Sequence, residues 1–279
     1  MVAPLGASLH RSARVLAVLF AVLHAARAFL CSATLHRSHP LLCSASASEQ
    51  LATMRQVEGV RDIIEDYDVF LLDMWGVMHD GSRPYDGVLD VVRRLRDAGK
   101  TLVILSNSSK RRDNSVKMLI KLGFDPSDFE QIITSGEVAY HMMAGTTDTL
   151  GCQPFERSES EEKTVFVFGS GDGDKEYCES SGWKTSLLDE ASLLLARGTF
   201  TIEGSAVLAN KRENEILYAE TMKACLNQAA KKEIPMLVAN PDKIRPDAER
   251  PPMPGKIADD YLGSLVGGKD SKKLIKRVG

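Results

Sequence analysis

The sequence predicts an α/β protein, a doubly wound parallel sheet followed by a second α/β unit, and three observations carry that expectation. Uninterrupted apolar runs, "VFLL" at 69–72 and "TLVILSN" at 101–107, have the character of strands buried on both faces of a parallel sheet. Each is followed by a segment with helical spacing of apolar residues. After a polar interval the same alternation begins again, which is the pattern of βαβ units.

In "VLDVVRRLRDAGK", Val88, Val91, Val92, Leu95 and Ala98 recur at helical spacing, and Gly99 is placed to stop the helix. Past the second strand, "SSKRRDNSVKMLIKLGF" offers serine caps, a basic first turn, the stripe Val116, Leu119 and Ile120, and a terminating Gly123. Residues 145–163 turn polar and acidic and read as a surface loop or linker. Beyond them "TVFVFG" is a strand, "FTIEGSAVLAN" another, "NEILYAETMKACLNQAAKK" a helix and "IPMLVAN" a further strand. The first unit therefore occupies 55–148 and the second 149–250, with 251–279 returning to the first.

A chain of 279 residues has room for one large or two medium domains. With 35 Lys and Arg against 38 Asp and Glu, the net charge of −3 makes no electrostatic case for nucleic acid or an anionic membrane surface. The charge is unevenly placed, because the first acidic residue is Glu49 and only Arg11, Arg14, Arg27 and Arg37 precede it. Within that stretch "VLAVLFAVL" at 15–23 is followed by "HAARAF", the layout of a secretory signal, and about half the ~20 apolar residues a membrane span needs. The Ser- and Ala-rich "LCSATLHRSHPLLCSASAS" then has the composition of an organelle transit peptide.

Residues 1–48 thus read as a targeting presequence, a signal peptide over about 1–28 and a transit-like segment over 29–48. The tandem resembles the bipartite presequences of algae with secondary plastids, which implies plastid import and no membrane in the mature form. A secretory signal with a disordered linker, or delivery to another organelle, is the alternative. Of five cysteines, Cys31 and Cys43 fall in this segment, and Cys152, Cys178 and Cys225 form no CxxC and no metal spacing.

Ligands of doubly wound sheets bind at the carboxyl ends of the strands, where Asp73 and Ser106 lie. A carboxylate at a buried strand tip, beside the turn-permitting Gly76, suits the nucleophile of an aspartyl-phosphate enzyme. A serine on the neighbouring strand end can hydrogen-bond a transferred phosphoryl group. "LLDMWGVMHDG" with "LSNSS" resembles motifs one and two of the haloacid dehalogenase-like hydrolases. "PYDGVLDVVRRLRDAGK" and "ANPDKIRPDAERPPMPG" are similar to segments of the 4-nitrophenylphosphatase-like members, which carry an α/β cap of the C2 type.

That resemblance implies a Rossmannoid core with a cap and a magnesium-dependent phosphatase acting on a small phosphorylated metabolite, with homo-oligomers possible. Asp73 would be nucleophile and magnesium ligand, Ser106 would hold the phosphoryl oxygen, and Gly76, Asn107, Ser108, Asn240 and Asp242 would line the substrate site. The sequence departs from the family at Trp75, where a second Asp normally protonates the leaving oxygen. The backbone carbonyl of that residue, which ligates magnesium in the family, survives any side chain.

His79, and Asp80 beside it, could supply the proton instead. The third-motif Lys and the acidic fourth motif are not visible before Gly279, so the core is expected to be incomplete at the C-terminus and the chain as it stands inactive. Lys256 in "MPGK" is a candidate substitute for the Lys. "GSGDGDKEY" at 169–177 reads as a surface turn more than as a metal or phosphate loop. A different class of function, a lapsed fold binding a phosphate ligand or a protein without turnover, fits Trp75 as well.

Overall fold

The computed structural model describes residues 15–18, 56–146, 162–245, 247, 249–265 and 271–279. The first sheet is built from Val15–Val18 (β1) and Val69–Leu72 (β2). After the helix Val88–Asp97 (α1) come Thr101–Ser106 (β3), the helix Arg112–Lys121 (α2), Gln131–Thr134 (β4) and the helix Ser135–Ala144 (α3). Its strands are all parallel in the order β1-β2-β3-β4, with Leu72 level with Ile104 and Ser106 level with Thr134. That register brings Asp73 and Ser106 to the same edge of the sheet. Phe70, Leu102 and Ile104 are fully buried and pack with Val92, Leu95 and Leu119 of the two helices. Such burial contributes about 1.5–3 kcal/mol per side chain, before entropy is counted.

The second sheet begins with Thr164–Gly169 (β5), the helix Asp174–Ser180 (α4), Lys184–Thr185 (β6), Leu193–Ala196 (β7), Thr201–Glu203 (β8) and Val207–Asn210 (β9). It continues with the helix Glu215–Lys231 (α5), Met236–Val238 (β10), the helix Pro254–Ser264 (α6) and Ile275–Arg277 (β11). The strand order is β11-β10-β7-β5-β8-β9, with β6 against β5, and only the β8 pairings are antiparallel. Alternate residues of β5 serve the two faces. Phe166 and Phe168 pack under α5 and α6, while Val165 and Val167 pack against Val138, Ala139, Met142 and Met143 of α3. Helix α3 thus joins the sheets, because it follows the last strand of the first and covers a face of the second.

Several sequence expectations change in the structure. "FTIEGSAVLAN" is two strands, β8 and β9, joined by a turn and irregular in register at Ile202/Glu203. The segment 251–279, expected to return to the first unit, supplies α6 and β11 to the second sheet, where β11 pairs with β10. Helix α2 has Arg111 as its cap residue rather than a serine. A carboxylate from α3 does the capping, as Arg112 N–H donates to Glu137 Oε2 at 2.9 Å. Ile120, assigned to the buried stripe, is 59% exposed, and Leu119 alone of that stripe is fully buried.

Cys178 and Cys225 are free and buried. The expected presequence and its cleavage points lie outside the described residues apart from β1, as do most of the 145–163 interval and Cys31, Cys43 and Cys152. Among the described residues no helix is long and apolar enough to cross a membrane.

Candidate active site

Asp73 follows β2 directly and is half-buried, with the Met74 N–H donating to its Oδ1 at 2.7 Å. Burial raises its pKa, the Met74 hydrogen bond opposes this, and the negative charge of Asp242 raises it further. Asp242 is raised too, by desolvation, against a hydrogen bond from Asn107 Nδ2 to its Oδ1 at 3.1 Å. Asn107 and Asp242 are 135 positions apart, so this bond ties the loop after β3 to the loop after β10. Asn240 is buried and accepts the Asp242 N–H at 2.9 Å, which fixes the carboxylate's approach. Four residues assigned from sequence, Asp73, Asn107, Asn240 and Asp242, therefore share one site.

Ser106, the last residue of β3, is buried, and its Oγ accepts the Ser108 N–H at 3.3 Å. The loop it opens is braced by α3. Gly136 N–H donates to the Ser108 carbonyl at 2.8 Å, and Thr134 Oγ1 donates to Lys110 O at 2.7 Å. Helix and loop come so close that a Cβ on Gly136 would stand 2.2 Å from Ser109 O, so only glycine fits. On the far side Tyr177 of α4 donates its hydroxyl to Gly136 O at 2.6 Å. The second sheet thereby supports the phosphoryl-binding loop expected from sequence.

Arg111 grips Glu137 with two hydrogen bonds, 2.7 and 2.8 Å, and its guanidinium lies 3.4 Å over the Tyr140 ring. Burial pushes the Glu137 carboxyl up, but the bonds from Arg111 and Arg112 prevail and hold it below its usual range. A depressed folded pKa gives stability that is present above the ordinary Glu value of about 4.3 and is lost as pH falls through the lowered one. Urea midpoints measured across that window should fall less steeply for Glu137→Gln than for the unsubstituted protein. Equal slopes would remove Glu137 from the acid response.

The turn after Asp73 carries the departure from the family. Gly76 adopts φ +86° and donates its N–H to His79 O at 2.9 Å. His79 is 3% exposed, and its Nδ1 accepts the Gly81 N–H at 2.9 Å. Its Nε2 is buried without a partner among the described residues. Burial lowers its pKa against the pull of Asp80, so the ring is neutral at neutral pH, with Nε2 carrying the proton. It offers a hydrogen bond more readily than a labile proton. Trp75 is 39% exposed, its indole lying against Gly81, where a Cβ would meet Cζ2 at 3.1 Å. The Arg245 guanidinium stands 5.5 Å from the ring centroid, within cation–π range.

Sequence reasoning missed Arg245, and it missed the buried pair formed by Arg197 and Asp174, with Arg197 also 4.2 Å over Tyr177. Asp174 stands in the "GSGDGDKEY" segment read as a surface turn, yet its side chain is wholly buried. Lys256 lies in α6 and pairs with Asp260, not with Asp73.

No group of three or more His, Cys, Asp or Glu side chains that could hold a metal ion occurs among the described residues. The Trp75 carbonyl accepts no backbone hydrogen bond among them. Among the described residues no cationic side chain contributes to the shifts of Asp73 or Asp242. Asp73 and Asp242, near enough for the charge of one to raise the pKa of the other, offer hard carboxylate oxygens of the type a divalent cation takes.

Residues 70–184 match the family model of the haloacid dehalogenase-like hydrolases. The chain is 41% identical over 51 residues to a 4-nitrophenylphosphatase of Schizosaccharomyces pombe, a match covering 18% of this chain and 17% of that protein. It is 31% identical over 97 residues to chronophin of Bos taurus, covering 33% of each. The matches therefore span no more than a third of either relative.

Among solved structures, a haloacid dehalogenase-like hydrolase from Brucella suis superposes with a TM-score of 0.58 at 20% identity, over 75% of this chain and 70% of that one. A 4-nitrophenylphosphatase from Thermotoga maritima gives 0.50 at 18% identity, over 75% and 68%. These two share the fold. With Asp73 and Ser106 on adjacent strand ends inside the matched segment, residues 70–184 are similar to the haloacid dehalogenase-like hydrolases, and the relatives matched in sequence include a 4-nitrophenylphosphatase.

Proposed function

We propose that the protein, when the third-motif Lys and acidic fourth motif not visible in this sequence are supplied, is a magnesium-dependent phosphatase that cleaves a small phosphorylated metabolite through an aspartyl-phosphate on Asp73. The observation that carries this reading is the meeting of Asp73, Asn107 and Asp242 beside Ser106, with Asn107 bonded to Asp242 at 3.1 Å. The Asp73 carboxylate attacks phosphorus, the phosphorus–oxygen bond to the leaving group breaks, and water later cleaves the acyl phosphate to restore the carboxylate. Ser106 and the braced Asn107–Ser108 loop bind and orient the phosphoryl oxygens. The Asp73 carboxylate and the Trp75 carbonyl would hold the magnesium ion, which when bound neutralises charge on the phosphoryl group.

Trp75 cannot donate a proton, and a positioned acid is typically worth about 10²–10⁴-fold. The leaving oxygen must then depart as an anion, so aryl and acyl phosphates should be cleaved far faster than alkyl ones. Hydrolysis rates over a series of leaving groups, with magnesium and with a chelator, test this. No dependence on leaving-group acidity would mean that another residue supplies the proton, with His79 the first to replace. The neutral state of His79 and the indole at position 75 also favour a second reading, a site that binds a phosphate ligand or a protein without turnover. Retained binding of vanadate with no hydrolysis of any ester in the series would select it.

A further inference from the structure

A groove of about 520 Å³ runs between α5 and α6, away from Asp73. Ala219, Met222, Leu226 and Ile257 form its apolar floor, and Tyr218 lines it beside them. This volume and lining lie within the range of small-molecule sites, which are mostly apolar with a few placed polar groups. Two features distinguish it from an ordinary seam between helices. Tyr218 is only 7% exposed, yet its hydroxyl has no hydrogen-bond partner among the described residues. A buried hydroxyl left unpaired is costly, and a bound acceptor would relieve it.

The charges at the rim are the second feature. Lys211 pairs with Glu215 at 3.3 Å, and Lys256 pairs with Asp260. Both carboxylates of the lining are thereby engaged. Lys223 remains, an exposed cation with no carboxylate within ion-pair distance among the described residues.

We infer that this groove binds a small amphipathic anion, with its ring or short chain on the Ala219–Met222–Leu226–Ile257 floor. Its acidic group faces Lys223, and the Tyr218 hydroxyl, buried while the groove is empty, turns to donate to an acceptor atom on it. The inference does not depend on turnover at Asp73, because none of these residues belongs to that site.

Two dyes with the same ring system test it on the full chain, 8-anilinonaphthalene-1-sulfonate and its uncharged parent N-phenyl-1-naphthylamine. One molecule of the sulfonate should bind per chain. Lys223→Gln, a surface change that leaves the core untouched, should weaken the sulfonate roughly fivefold and leave the parent unchanged. Met222→Trp, which fills the floor, should abolish binding of both dyes while circular dichroism stays the same. Binding of the sulfonate that is indifferent to Lys223→Gln overturns the proposal. So does binding of several dyes per chain, or a groove that takes no dye because sedimentation shows a second copy covering it.

Discussion

Replacing Asp73 by Asn should lower phosphate ester hydrolysis by on the order of 10⁴ to 10⁶-fold, the scale seen when a catalytic nucleophile is removed from other hydrolases. The amide keeps the size of the side chain and the Met74 N–H contact at 2.7 Å, so the fold should be unchanged. Phosphate binding should survive or tighten, since the substitution removes a negative charge that faces the dianion and lies near Asp242. The check is kcat alongside a separate vanadate affinity. A fall in both by the same factor would mean that the site had come apart rather than lost its nucleophile.

The second large effect is on stability. Asp174 and Arg197 are an ion pair with side chains 0% and 5% exposed, and removing one partner strands the other charge in the interior. Asp174→Asn should cost about 3–5 kcal/mol in chemical denaturation. The double change Asp174→Leu with Arg197→Met should recover much of that, because no charge is then left without a partner. Tyr177, under the Arg197 guanidinium, donates to Gly136 O, so loosening this pair should also lower phosphate affinity. A single variant as stable as the unsubstituted protein would show that water reaches the pair.

The contrast between these two sites explains what the sequence reveals. Asp73 and Ser106 are legible because each ends an apolar strand, and the strand-end rule needs only local pattern. Strand β7 was not, since "LLLA" lacks β-branched residues and Leu and Ala favour helix. Its conformation is imposed by the slot between β5 and β10. The Arg197–Asp174 pair and the stacking of Arg245 on Trp75 join residues 23 and 170 positions apart, and nothing in either local segment encodes the partner. Glycine at 136 looks like a weak helix residue until the approach of Ser109 O is known.

Asp73 itself should become phosphorylated during turnover. Rapid mixing of the protein with an aryl phosphate and magnesium, followed by acid quench and peptide mass spectrometry, reads this directly, because acyl phosphates persist in cold acid. The peptide bearing Asp73 should gain the mass of one phosphoryl group within the first turnover, and the Asp73→Asn protein should gain none. Hydrolysis that proceeds with no phosphoryl group on that peptide, or with the group on another residue, would contradict the account.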